Sequence, residues 1–119
     1  MPLADAIRAE LARSDEEILK SIGQALGRGA ISGDPIGRAK EFIANITDQL
    51  RDAICSRTLI RLLYEEKADA MLIVAAIADA TTSLLVALSI PISPTTFAVL
   101  LFRSGVSELC SQVWNRKHA

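Results

Sequence analysis

Between Ala70 and Phe102 the chain carries a single charge, Asp79. No other feature constrains the fold as much. A run this apolar has to be buried, in protein or in lipid. Pro91 and Pro94 divide it into two arms, and neither arm alternates apolar with polar residues as a half-buried strand would. Its apolar content is mostly Ala, Leu and Ile, which favours helix over sheet. The spacing therefore predicts a helical hairpin over residues 68–90 and 94–114. Ser93-Pro94 forms an N-cap and N1 proline at the start of the second arm.

The preceding residues are of another kind. Twenty of the 27 charged side chains lie in residues 1–66, on what reads as solvent-facing amphipathic helix. Leu3, Ile7 and Leu11 repeat every fourth residue on one helical face. Ser14 opens a capping box with Glu17, so the first helix ends near Arg13 and a second begins. That second helix carries Ile18, Ile22, Ala25 and Leu26, and Gly27 and Gly29 are expected to stop it.

Asp34-Pro35 starts a third helix. Ile36, Ala39, Ile43, Ile46, Leu50 and Ala53 then step by three and four, a narrow seam suited to helix–helix packing. This predicts one long helix over residues 34–66, with a bend at EEKAD, residues 65–69.

The expected architecture is all-α. It is a single domain of four to five helices, with amphipathic helices in 1–33, the seam helix in 34–66, and the apolar hairpin and polar tail in 67–119. Asp79 and Arg103 fall at about the same height on the two arms if the turn centres near Ile92. At about 1.5 Å per residue they differ by about 3 Å along the axis, so a buried ion pair is expected between them.

Several chemistries lack their residues. His118 is the only histidine, next to the last residue, so neither a triad nor a histidine metal site is expected. Cys55 and Cys110 match no metal or redox spacing and read as two reduced, buried thiols. The four glycines Gly27, Gly29, Gly33 and Gly37 lack the Lys-Ser/Thr of a phosphate loop and follow no strand. Arg51, Arg57 and Arg61 alternate with Asp48, Asp52 and Glu65, which predicts a salt-bridged surface rather than an anion site. With a net charge of −1 and few aromatics, no nucleic-acid partner is expected. No catalytic residue, cofactor or metal is assigned.

The first 17 residues have no cationic segment followed by an apolar run, so no secretory leader is expected there, and a cytoplasmic location follows. The surplus of apolar helix points to a non-enzymatic interaction or assembly subunit, forming a homo-oligomer or binding a partner protein. The candidate interface residues are Ile36, Ile43, Ile46, Leu50, Phe102 and Trp114. The alternative is a membrane-inserted or membrane-active protein using residues 68–92, with the charged half cytoplasmic. Against it, Asp79, Thr81, Thr82 and Ser83 sit near the middle of the segment, where an aspartate costs about 2.5–3.5 kcal/mol to insert.

Overall fold

In the computed structural model, residues 2–26 and 34–116 are described, and they form eight helices and no strand. These are α1 (Pro2–Leu11), α2 (Asp15–Leu26), α3 (Pro35–Asn45), α4 (Thr47–Cys55), α5 (Thr58–Glu65), α6 (Ala70–Ala87), α7 (Pro94–Ser104) and α8 (Val106–Arg116). The all-α expectation holds. The count of four to five helices does not, because both long helices are broken.

The 34–66 helix becomes three. At Ile46 the backbone leaves helical geometry, with φ −108° and ψ 13°. There the Thr47 hydroxyl donates back to the Ile43 carbonyl at 2.9 Å, a bond that bends helices. The second break follows Ser56, whose hydroxyl bonds the Asp52 carbonyl at 2.6 Å, and Arg57 turns extended. The 94–114 helix ends at Gly105, which adopts a left-handed φ of 103° and caps α7.

Local caps explain most of the other ends. The Ser14 hydroxyl accepts from the Glu17 backbone N–H, and the Glu17 carboxylate accepts from the Ser14 N–H, closing the capping box. These Ser14 bonds, backbone first and then hydroxyl, hold the Glu17 carboxyl below its usual pKa. Asp34 accepts from the Ile36 N–H, and Asp69 from the Met71 N–H. α5 and α6 end on left-handed residues that are not glycine, Lys67 and Ser89. At each, the following N–H reaches back to a carbonyl five residues earlier, Ala68 to Leu63 and Ile90 to Leu85. The glycines expected to stop α2 lie outside the described residues.

The α6–α7 hairpin is the centre of the molecule. α1 packs on both of its arms, α2 on α7, and α4 and α5 on α6. α3 lies along α2, and α8 lies mainly on α4. The core includes Ile18, Ile22, Leu50, Ile54, Ile60, Val74, Ile77, Phe97, Val99 and Val106. Phe42 meets Phe97 at 6.4 Å between ring centroids. Thr81 is buried too, and its hydroxyl is satisfied by the Ile77 carbonyl at 2.9 Å.

Candidate interaction surface

The expected Asp79–Arg103 pair is not made. Asp79 stands on the solvent side of α6, its side chain 80% exposed, and meets Arg57 at 3.5 Å. Arg103 instead bonds Asp15 at 3.1 Å and the carbonyls of Leu11 and Arg13. Two physical reasons account for this. The connection from Leu88 to Ser93 folds back, so Pro94 and Thr95 border the same cleft as Ala78, Asp79 and Thr82. That slides α7 along α6 and carries Arg103 past Asp79. In addition, equal height along an axis fixes nothing about the direction a side chain takes around it.

The reading of two free thiols is also corrected. Cys55 and Cys110 are joined by a disulfide that ties the end of α4 to α8, 55 residues further along. Around it, the Trp114 indole N–H donates to the Cys55 carbonyl at 3.1 Å, and Trp114 packs on Tyr64 with centroids 5.9 Å apart. The Tyr64 hydroxyl is buried with no hydrogen-bond partner among the described residues, and burial pushes its pKa up to about 12.

The six expected interface residues scatter. Ile46 and Leu50 are buried in the chain's own core. Ile43, Phe102 and Trp114 are half-buried against it, and Ile36 is half-buried. Ile43 lines two neighbouring clefts. One, of about 340 Å³, lies between α4 and the α7–α8 joint and includes Leu50 and Val106. The other, of about 330 Å³, also holds Asp15, Lys40 and Leu100. Within the arginine stripe Arg51 pairs with Asp48 and Arg61 with Glu65, while Arg57 reaches out to Asp79 on α6.

The surface with an apolar surplus lies elsewhere. Among the described residues the exposed large apolar side chains are Leu59, Leu62, Leu72, Val86 and Leu88, all on α5 or at α6 and its C-cap. Leu72 and Val86 are 58% and 73% exposed. On α6 they share one helical face with Ala75, Ala76, Asp79, Thr82 and Ser83, none of them buried. α5 borders this face, since Leu59 and Arg57 line a small cleft with Ala76 and Asp79.

The sequence reading missed this surface for a simple reason. α6 is apolar nearly all round, so its pattern gives no direction that separates the packed face from the open one. α6 is also the one helix among the described residues long and apolar enough to cross a membrane, with a mean hydropathy of 2.0 and 39% of its residues buried.

Among the described residues, no three His, Cys, Asp or Glu side chains are grouped to hold a metal ion. Comparison with known protein families, curated proteins and solved structures finds no match.

Proposed function

We propose that the protein is a non-enzymatic assembly module that pairs with a second copy of itself through the outer face of α5 and α6. The observation that carries this reading is that, among the described residues, the exposed large apolar side chains are confined to those two helices and their edge. Isolated exposed leucines are ordinary, but several on one face mark a contact surface.

The occupant follows from the pattern of the face. Leu72 and Val86 lie seven residues to either side of Asp79. A twofold axis near Asp79 therefore sets Leu72 of one copy against Val86 of the other, as an isologous contact requires. The short side chains of Ala75, Ala76 and Ser83 leave room for the helices to approach. Among the described residues, the charges that border Ala76 at the centre are Arg57 and Asp79, already paired within each copy. In a dimer, each carboxylate would face a second guanidinium as well as a second carboxylate, which keeps the centre neutral overall. A strongly charged partner finds nothing complementary there.

A second reading keeps α6 against lipid, and its mean hydropathy favours that reading. Fractionation of the untagged protein with light scattering separates the two. Recovery as a soluble dimer supports the assembly reading. Recovery only in membranes, resistant to alkaline washing, replaces it with the lipid reading. A soluble monomer that never self-associates removes the second copy as occupant.

A further inference from the structure

We propose that the Cys55–Cys110 disulfide is a redox latch: oxidised, it holds α8 on α4, and reduced, it lets α8 swing away about Gly105. α8 rests chiefly on α4, with lighter contact to α7. Its apolar attachments are the buried Val106 and Cys110, with Leu109, Val113 and Trp114 packed beside them.

The joint is built for movement. A single residue, Gly105, separates α7 from α8, and it holds a left-handed φ of 103°. Glycine changes φ and ψ at low cost, so the backbone of the joint itself resists reorientation little. Beneath the joint lies the cleft of about 340 Å³ lined by Leu50, Leu101, Val106 and Leu109, so the first turns of α8 are not fully packed. Among the described residues, the polar ties between α8 and α4 are the Trp114 bond to the Cys55 carbonyl and a long Arg51 bond to the Leu109 carbonyl, 3.4 Å. The Trp114 ring covers Tyr64, whose hydroxyl has no partner.

Both cysteines are buried, so the reductant acts during brief openings of α8. The co-reactant is a dithiol. One of its thiolates attacks a cysteine sulfur and breaks the S–S bond, and its second thiolate resolves the mixed disulfide. The dithiol leaves as a disulfide, and Cys55 and Cys110 take up two electrons and two protons.

The test is hydrogen exchange on the full chain, oxidised and then reduced with dithiothreitol, with thiols counted in each state. When oxidised, the amides of α8 should be protected to a degree comparable with α7. When reduced, they should exchange about 100-fold or more faster than those of α6 and α7, and Trp114 emission should shift to the red. Reoxidation should restore the first pattern. The proposal is overturned if α8 stays as protected as α6 and α7 after two thiols have appeared, or if α8 is already unprotected when oxidised. Cys110→Ser and Cys55→Ser should each reproduce the reduced pattern without reductant. The unaltered chain carries the test if either folds poorly.

Discussion

Arg103 and Asp15, 88 residues apart in the chain, meet at 3.1 Å across α7 and the start of α2. The same guanidinium also donates to the carbonyls of Leu11 and Arg13, just where α1 ends. One side chain thus closes α1, anchors α2 and fixes both to the hairpin. Arg103→Ala is expected to cost about 3 kcal/mol, because it strands helix-end carbonyls as well as breaking the charge pair. Asp15 is mostly exposed, so Asp15→Asn should cost at most about 1 kcal/mol. Urea unfolding of the two variants checks the difference. Equal losses would mean that the carbonyl bonds contribute nothing.

Gly23 sets the contact between α2 and α3. A Cβ there would lie 1.7 Å from the Pro35 carbonyl oxygen, a backbone atom that cannot turn aside. The Gly23 carbonyl also accepts from the Arg38 Nε at 3.2 Å. Gly23→Ala would gain up to about 1 kcal/mol of helix propensity, yet overpacking should outweigh it and leave a net loss of about 2 kcal/mol or more. Thermal unfolding followed by circular dichroism measures the sign.

Tyr64→Phe should raise stability by about 1 kcal/mol, since it removes a buried hydroxyl that no acceptor satisfies. The same burial makes a pH prediction. Burial raises the folded-state pKa of Tyr64 from 10.0 to about 12, so below pH 10 its ionisation takes nothing from stability. Between pH 10 and about 12 the unfolded chain releases the proton and the folded chain keeps it, so stability falls over that window. In Tyr64→Phe that share of the alkaline loss should disappear from unfolding midpoints taken across the window.

The disulfide closes a long loop. On the chain-entropy account, a bridge over 55 residues stabilises by about 4 kcal/mol. Cys55→Ser and Cys110→Ser should therefore lower the urea midpoint to a similar extent, and the double variant should lose little more than either single one.

Helix starts were legible in the sequence because capping is local. Ser14 with Glu17, and Asp34 with Pro35, carry their signal within four residues. The break at Ile46 was hidden because the three–four spacing of apolar residues runs through it, and only the Thr47 hydroxyl marks the bend. The bond between Cys55 and Cys110 has no local signature at all. The partners of the half-buried Arg103 depend on how far the 88–93 connection slides α7, which no local pattern records. The open face of α6 depends on which neighbours pack where, and a helix apolar on every side does not announce that.

The most direct test of the assembly reading is sedimentation velocity on the oxidised protein over a concentration series, beside the variant Leu72→Glu/Val86→Glu. Both substitutions fall on the open face of α6, so the helical content should be unchanged. The account predicts a dimer for the unaltered chain and a monomer for the variant. A monomer at every concentration for the unaltered chain, or a dimer that survives both substitutions, would contradict it.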